Sequence, residues 1–595
     1  MNYLNKFKTL LFTVAILAGL VSCEDFLDRP DKSSYELSEF YKNDEQILQA
    51  VNFLYNSPWH DFSRAWIGVG DQQSGNHYQS SNGYWLLAHQ DGSTMDELES
   101  MSASLWSVNA HANTVMENID NYASPETTEA VRNTAKGEAL VWKAMAYFFM
   151  VRVYGAVPIV HKNSELMETG EYNTLFRAKV ENVYDYIIMT LEKAVEWLPE
   201  QNLPGRIDRY SAYGLLSKVY LTKSGFGRSG DRNQADLDKA KEYAYKVIHE
   251  SGRELETNYE DIFRGSKNFT RESLLSWRWV SADNWTCGNP IKSDMAAAGF
   301  DEFGSDGAWG SWRGPSLDLQ AAFGEDAFIL GRRQNLDKRR KATMMMYGDV
   351  YPYFWRDHPI KDKINSNEKV NFSNGFDFTL FYRDVLGGFH SPTGANAVKH
   401  IPGDQADHIA ELGMPMAGEM VNGLATHLLR LGDIYLIYAE AILGNSASTT
   451  DGEALYAFNE VRKRAYYPDN APLVTSLTFE DIFKERRLEL AYEGDFWYDF
   501  VRLSYYKPEE ALAKLNSQNR KIWSGITGYQ FDGIEGRVTV SESTGLESPR
   551  INEETVTGQP YPPTVFTMPF PRTDYLMNPN LLEPPVDYDL SQFKY

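Results

Sequence analysis

Residues 478–503 read TFEDIFKERRLELAYEGDFWYDFVRL, and this stretch decides the fold. Thr478, followed three residues later by Asp481, predicts a helix start, because the hydroxyl caps free N–H groups and acids suit the positive end of the helix dipole. Apolar residues follow at helical spacing on two faces, which predicts a helix buried between neighbours. Gly494 can end this helix in a left-handed turn, and the aromatic residues after it direct the chain back onto the core.

One charged residue of this helix needs a partner. Arg486 lies within an apolar stripe, where an unpaired cation would be costly. Its partner could be Glu489 or Glu493 of the same helix, or an acid on a packed neighbour. We interpret the stretch as scaffold with internally paired charges, and the alternative is a catalytic Arg/Glu site.

The composition is that of a large, acidic, folded chain. The 595 residues are 43% hydrophobic and 14% aromatic, which is ample for a packed interior. The formal net charge of −24 at pH 7 would repel phosphate backbones and argues against nucleic acid as a partner. Only two cysteines are present, Cys23 and Cys287, so no disulfide framework holds the fold.

The N-terminus predicts export and a lipid anchor. Two lysines precede an apolar run at residues 10–20 that is too short to span a bilayer, which is typical of a signal peptide. The run ends in Leu-Val-Ser-Cys, which resembles a bacterial lipobox. This resemblance implies a signal peptide at residues 1–22 and several acyl chains on Cys23, each buried methylene contributing about 0.8 kcal/mol to anchoring. Residues 23–36 would form the lipidated tether, and the two acids after Cys23 resemble a signal for the cell surface.

Helical hairpins are predicted over much of the remaining chain. Small residues alternate with bulky ones in several helix-forming segments, so that neighbouring helices can approach closely. Such pairs resemble tetratricopeptide hairpins, which stack because one hairpin cannot bury its own faces. We therefore predict a mainly α scaffold at about residues 37–262 and 424–503. Its predicted helices lie at residues 44–55, 95–119, 137–154, 180–197, 211–222, 234–250, 428–443 and 452–464.

Three regions depart from the helical pattern. Residues 263–423 contain Gly, Asn and Asp clusters with short β-prone pieces, which predict long loop-rich insertions with small sheets. Residues 58–85 are rich in Gly, Ser, Asn and aromatics and predict a long ordered loop, which is usually functional. Residues 504–595 are predicted to lie as extended chain against the scaffold, because the helical pattern fades there.

Short segments spread along the whole chain together indicate one family. They are CEDFLD at 23–28, the helix and turn at 144–158, residues 206–221 and 429–441, ALYAFNEVRKRA at 454–465, ERRLELAYEGDFWYDFVRL at 485–503, and the short motifs at 568–570 and 578–580. In this order they resemble the SusD/RagB family of surface lipoproteins, which capture nutrients, usually glycans, above a TonB-dependent outer-membrane transporter. The resemblance implies a single SusD-like domain at residues 37–595, with its ligand region at about 263–423. It also implies a SusC-like TonB-dependent β-barrel as partner, and a lipid-anchored location in the outer membrane facing the cell surface.

Clustered tryptophans indicate the candidate ligand site. Of 14 tryptophans, four lie between Trp59 and Trp106 and five between Trp277 and Trp312. Both windows are loop-rich, where helix packing explains a tryptophan less easily. Indole faces stack on the C–H faces of sugars, and polar neighbours bond the hydroxyls. The predicted glycan-binding residues are Trp66, Asp71, Asn76, Tyr78, Trp85, Asn284, Trp285, Trp309, Trp312 and Arg313, with Cys287, Tyr382 and Arg383 as further candidates.

The sequence offers no catalytic motif. It contains no HExxH, P-loop or GxSxG pattern, and acidic pairs are too numerous for spacing to identify a glycosidase acid and nucleophile. His400, Asp404, Asp407 and His408 come nearest to a metal set, but we expect loop solvation there; a structural metal ion is possible but not indicated, and no cofactor is expected.

We therefore predict a non-enzymatic, cell-surface glycan-binding lipoprotein that captures an oligosaccharide or polysaccharide and delivers it to the transporter. One alternative is a surface glycoside hydrolase. The other is a peptide- or protein-binding member of the same family.

Overall fold

The computed structural model describes residues 37–79, 96–281, 285–291, 295, 313–324, 326–329, 332–346, 348–354, 360–361, 369–370, 375–378, 393–416, 421–524, 529–531, 538–540, 546–549 and 561–595. The predicted signal peptide and tether, with Cys23, lie outside these residues. So do Trp85, Asn284, Trp309, Trp312, Tyr382 and Arg383. Across the described residues, no helix combines the length and apolar character needed to cross a membrane.

The scaffold is a series of helices that pack on their neighbours in chain order. The helices are α1 Leu37–Phe40, α2 Asp44–Ala50, α3 Phe62–Ile67, α4 Asp96–Tyr122, α5 Glu129–Tyr154, α6 Asn163–Thr169, α7 Val180–Trp197, α8 Arg209–Lys223, α9 Gln234–Glu250, α10 Leu317–Ala322, α11 Lys338–Thr343, α12 Gln405–Leu412, α13 Leu431–Leu443, α14 Gly452–Tyr466, α15 Phe479–Leu490, α16 Phe496–Ser504, α17 Pro508–Asn516 and α18 Arg572–Met577. Contacts run from α4 to α5, α7, α8, α9, α13 and α14 in turn, and α15 packs on α13. The predicted mainly α, hairpin-stacked fold is confirmed.

Small two-stranded sheets account for the strands. These are β1 His77–Gln79, β2 Ser273–Trp277, β3 Arg313–Pro315, β4 Ala327–Ile329, β5 Arg332–Gln334, β6 Met344–Met346, β7 Val350–Tyr351, β8 Ile360–Lys361, β9 Lys369–Val370, β10 Phe376–Asp377, β11 Ala395–Ala397, β12 Thr426–Arg430, β13 Lys521–Ser524, β14 Tyr529–Phe531, β15 Val538–Val540 and β16 Leu546–Pro549. The pairs among the described residues are β1–β3, β2–β12, β4–β5, β6–β11, β7–β10, β8–β9, β13–β16 and β14–β15.

Helix α15 begins as predicted and ends earlier than predicted. The Thr478 side chain accepts the N–H of Asp481, and the Asp481 carboxylate accepts the N–H of Thr478, which forms a capping box. The helix stops at Leu490, four residues before Gly494. Two left-handed residues follow, Tyr492 with φ 64° and Gly494 with φ 66°. Their N–H groups both donate to the buried carboxylate of Asp71, which fixes this turn against residues from the other end of the chain.

The partners of Arg486 lie on packed neighbours rather than on its own helix. The guanidinium bonds Asp433 of α13 at 2.5 Å and Asp499 of α16 at 2.9 Å. It also bonds Asp495, in the turn before α16, at 3.1 Å. All four side chains are buried or nearly so. This cation therefore joins three segments of the scaffold, in keeping with a structural interpretation of the stretch.

Three sequence predictions of local structure need correction. The segment at 428–443 begins as strand β12, because all five of its residues are buried beside β2, and the helix starts only at Leu431. The predicted loop at 58–85 contains α3 and a further helical turn to Gln72. The C-terminal region is extended only in part, since α17 and α18 lie within it. It does lie against the scaffold: the N–H of Met568 donates to the carbonyl of Val153 at 2.8 Å.

Candidate functional site

Strands β1 and β3 bring the two tryptophan windows together. They pair antiparallel, with Gln79 opposite Arg313 and Tyr78 opposite Gly314. Gln79 leads directly into residues 80–95, and Arg313 follows directly on residues 296–312. The first segment carries Trp85 and the second carries Trp309 and Trp312, although all three lie outside the described residues. Two windows that are far apart in sequence therefore meet at one place in the fold.

Trp285 is the described candidate whose indole is open to solvent. Its side chain is 44% exposed, and its ring lies 5.6 Å from that of His60, centroid to centroid, in an edge-on arrangement. The short 3₁₀ turn that carries it is held from both sides. The Ser57 hydroxyl lies 3.2 Å from the Cys287 thiol, and the N–H of Val280 donates to the Cys287 carbonyl at 2.9 Å. The indole is thus supported by the first window while belonging to the second.

Trp66 is part of the interior. Its side chain is 1% exposed, and its ring lies 5.4 Å from that of Trp277 and 5.7 Å from that of His400. The backbone of Gly494 presses on the indole so closely that an added Cβ would lie 2.1 Å from its Nε1. This burial corrects the prediction of Trp66 as a sugar-stacking surface, because a ligand has no open face to contact.

Asp71, Asn76 and Tyr78 are also buried, and the first two brace the turn after α15. The Asp71 carboxylate accepts the N–H groups of Tyr492 and Gly494, each at 2.8 Å, and the Asn76 amide at 3.1 Å. Burial raises the pKa of Asp71 to about 6, although these hydrogen bonds oppose the shift. The Asn76 oxygen accepts from Nε of Arg487 at 2.8 Å. These side chains are buried inside the protein and have no open face for a ligand, which corrects their predicted role.

His60, which packs on Trp285, and Gly70, which packs on Gly494, have structural roles that the sequence interpretation missed. His60 lies in the same aromatic-rich window as the predicted residues, and this position was the available signal. Gly70 belongs to a Gly-Val-Gly fragment that resembles no complete nucleotide-binding motif. Glycine at this position lets the two backbones pack closely, because a Cβ on Gly70 would lie 2.2 Å from the backbone carbon of Gly494.

Two family models match the chain, and one relative spans it completely. Residues 320–582 match the model of the SusD family, and residues 25–221 match a model described as starch-binding, associating with the outer membrane. A SusD-like protein of Bacteroides ovatus is 32% identical over 612 residues, covering 100% of both chains. The chain belongs to the SusD family. The second description associates SusD-family proteins of this kind with the outer membrane.

Solved structures of SusD-like proteins share the fold. One, a crystal structure with xylogluco-oligosaccharide, is 29% identical with a TM-score of 0.72, over 91% of this chain and 99% of that one. A laminarin-binding SusD-like protein is 20% identical with a TM-score of 0.57, over 86% of this chain and 100% of that one. At this lower identity the second likeness supports the fold alone.

The four residues nearest to a metal set serve other roles in this SusD-family chain. His400 Nε2 donates to the carbonyl of Tyr492 at 2.7 Å, and burial lowers the pKa of His400 to about 4, so its ring is neutral. Asp404 and Asp407 form a capping box on α12. His408 Nδ1 donates to the carbonyl of Met414, and its Nε2 accepts the N–H of Gly423. Within the part of the chain that the structure describes, no group of three or more His, Cys, Asp or Glu side chains is arranged so that it could hold a metal ion.

Glu489, in the buried Arg/Glu cluster of the SusD-family scaffold, is held in its ionised form. Glu489 lies against Arg464, Arg430 and Arg339. Burial alone would raise the pKa of Glu489, but these guanidinium groups outweigh it and hold that pKa far below its usual range. A carboxylate that stays ionised at neutral pH cannot serve as a general acid. Glu489, Arg430 and Arg339 are also fully buried, which is in keeping with the scaffold interpretation of the cluster.

Proposed function

We propose that this SusD-family chain is a lipid-anchored surface protein that captures oligosaccharides, delivers them to a TonB-dependent β-barrel transporter and leaves their bonds intact. The observation that carries the proposal is the β1–β3 register, which joins the two tryptophan windows at Gln79 and Arg313. Tryptophans brought together from loop segments suit sugar stacking better than helix packing. The catalytic alternative gains no support from the described carboxylates of the buried cluster.

The ligand platform that we propose centres on Trp285. Its open indole would stack on one sugar ring, while His60 keeps the indole in place from below. Trp85, Trp309 and Trp312 are proposed as further stacking surfaces, since their segments begin or end at the β1–β3 pair. Asn284 and Arg313 are proposed to bond the hydroxyls. The remaining predicted residues act by supporting this surface.

The first ligand to test is xylogluco-oligosaccharide. A solved SusD-like structure that shares 29% identity with this chain was determined with that ligand. This similarity makes xylogluco-oligosaccharide the first ligand to test, because the sequence itself does not name a glycan. Shallow stacking binds weakly per sugar and releases readily, which suits a protein that must hand its cargo on.

The anchor that we propose is the acylated Cys23. It would hold the helical body at the outer face of the outer membrane, above a SusC-like partner. Mass spectrometry of the membrane-extracted protein should find acyl chains on Cys23 as the first residue. An unmodified Cys23 would contradict the anchoring part of the proposal and leave the glycan-binding part standing.

Isothermal titration calorimetry with xylogluco-oligosaccharide tests the binding site. Trp285→Ala should weaken binding by at least about fivefold, because a lost stacking contact removes about 1 kcal/mol or more. Trp85→Ala and Trp312→Ala should do the same. Tyr172→Ala is the matched control, since Tyr172 is an exposed aromatic residue in a segment that carries no candidate.

Two results would contradict the proposal. The first is equal affinity of the three tryptophan variants and the wild type for every oligosaccharide that binds. The second is the release of new reducing ends when the purified protein is incubated with the ligand, which would favour the glycoside hydrolase alternative. Binding of peptides in place of glycans would favour the other alternative.

A further inference from the structure

A cavity of about 370 Å³ lies at the edge of the scaffold, beside the loop at residues 201–208 that joins α7 to α8. Strand β2 and the segment after α9 form its other walls. Its volume falls within the range of small-molecule sites, at the lower end. Its charged lining consists of Arg206, Asp208, Arg253, Arg271 and Arg278, and its aromatic lining of Tyr55 and Phe269. Four cations against one carboxylate is an unusual balance for a chain of net charge −24.

Two of the four arginines are neutralised in place. Arg206 bonds the buried Glu138 with two nitrogens, at 2.9 and 2.7 Å. Arg253 bonds Asp208 at 2.6 Å. Their charges are therefore already matched, and they build the wall rather than attract a ligand.

Arg271 and Arg278 have no carboxylate partner among the described residues. Arg271 donates to the backbone carbonyl of Gly252 at 2.9 Å. Arg278 donates to the carbonyl of Asn268, and its guanidinium lies 3.9 Å from the centre of the Phe269 ring. Burial lowers the pKa of Arg278 to about 10, as expected of a desolvated cation that lacks a counter-charge. The cavity thus carries two guanidinium groups whose hydrogen bonds go to backbone carbonyls and not to a described carboxylate.

The guanidinium of Arg278 is fixed before any ligand arrives. Phe269 covers one side of it, and a Cβ added to Gly205 would lie 3.1 Å from its Nε, so the 201–208 loop is close on another side. The Phe269 ring is itself 60% exposed. An immobile guanidinium beside an open aromatic face loses little entropy when it binds an oxyanion attached to a ring.

We propose that this cavity is a second binding site, which takes an acidic saccharide unit through its carboxylate or sulfate group. The oxyanion would pair with Arg278 and Arg271, and the sugar ring would lie against Phe269. Arginine matches planar and tetrahedral oxyanions with two parallel hydrogen bonds, which gives the site both charge and geometry. A single acidic unit fits better than a polyanion, because the strongly negative body repels extended negative chains.

One stretch of chain, residues 55–60, contributes both to the wall of the cavity and to the support of Trp285. Tyr55 lines it, and the carbonyl of Tyr55 accepts the N–H of Arg278 at 2.8 Å. The Asn56 amide donates to the Arg278 carbonyl at 3.1 Å, and His60, four residues further on, supports Trp285. The assignment of a saccharide as the ligand rests in part on the proposed function of the neighbouring platform. The assignment of an oxyanion rests on the arginines alone.

Calorimetric titration of the full chain tests the proposal with sodium glucuronate, glucose 6-sulfate, glucose and inorganic sulfate. At least one of the two acidic sugars should bind more tightly than glucose, and less tightly as salt is raised. Arg278→Gln and Arg271→Gln should each weaken this binding by about tenfold or more, since each removes a charge-assisted hydrogen bond. Phe269→Ala should weaken it as well. Arg228→Gln, at an exposed arginine elsewhere, should leave it unchanged.

Absence of binding by both acidic sugars, or equal binding by the wild type and both arginine variants, would overturn the proposal. Inorganic sulfate that binds as tightly as the acidic sugars, with no effect of Phe269→Ala, would overturn the assignment to a saccharide. Should Arg278→Gln not fold, Arg271→Gln decides the question, because Arg271 is an exposed side chain. Trp285→Ala should spare glucuronate binding while weakening xylogluco-oligosaccharide, so failure of the one site is distinguishable from failure of the other.

Discussion

Gly494→Ala should destabilise the protein by about 2 to 5 kcal/mol, because two constraints meet at this glycine. Its φ of 66° lies in the left-handed region, which costs other residues about 1–2 kcal/mol. An added Cβ would also lie 2.1 Å from Nε1 and 2.2 Å from Cε2 of the buried Trp66. Overpacking of this kind typically costs about 1–3 kcal/mol. The backbone of Gly70 also packs against that of Gly494, which leaves little room for the turn to adjust.

Gly170→Ala is the matched control. Gly170 ends α6 with a φ of 72°, and no described atom lies within 4 Å of its Cβ position. It should therefore show only the backbone contribution, about 1–2 kcal/mol. The difference between the two variants isolates the contact with Trp66. Trp66→Phe in the Gly494→Ala background should recover part of that difference, since the two residues are in direct contact.

Urea unfolding, followed by tryptophan fluorescence, is the appropriate assay. The unfolding entropy is about 2.1 cal/mol/K per residue, so the melting temperature of a 595-residue chain would move by only about 1 °C per kcal/mol. The midpoint multiplied by the slope gives the free energy more sensitively. If Gly494→Ala loses no more stability than Gly170→Ala, the packing argument for this turn is wrong.

Two further predictions concern the buried charges. Arg430→Met should lower the free energy of unfolding by about 3–5 kcal/mol, because it leaves Glu489 and Glu493 short of a buried cation. Urea unfolding measures this loss, with Arg572→Met, at an exposed arginine, as the control. Equal losses in the two variants would contradict the prediction. Burial alone would raise the pKa of Glu440, but Arg502 and Arg232 outweigh it and lower that pKa to about 2. The stability that Glu440 contributes, roughly 3 kcal/mol, should thus be complete above pH 4.3 and be lost as the pH falls towards 2. Urea unfolding from pH 2 to 6 should show a shallower pH dependence for Glu440→Gln than for the wild type, and identical slopes would count against the assignment.

The helices of the scaffold were predictable because their information is local. Periodicity and capping residues lie within each segment, so the predicted bounds at 180–197 and 234–250 coincide with α7 and α9. The start of α13 was not predictable in the same way. Residues 426–430 read Thr-His-Leu-Leu-Arg, a segment too short for its pattern to separate helix from strand, and only pairing with β2 decides between them.

The candidate site was predictable as two sequence windows and not as a surface. An indole has the same chemistry in a core and on a platform, so composition could not separate Trp66 from Trp285. Burial is decided by distant neighbours, such as the Gly494 backbone that covers Trp66. The partners of Arg486 illustrate the same limit, because they come from α13, α16 and the turn before it.

The seam formed by β2 and β12 bears on how new specificities can arise. Because these strands pair side by side with Trp277 opposite Thr426, the chain leaves the scaffold and returns to it at neighbouring positions. Grafting the intervening segment between relatives would require a match both at this seam and at the β1–β3 pair. The segment also forms ion pairs with the scaffold, because Arg339 bonds Glu489 and Lys399 bonds Glu493. A chimera would have to supply cations at both positions, or the recipient helices would be left with excess buried negative charge.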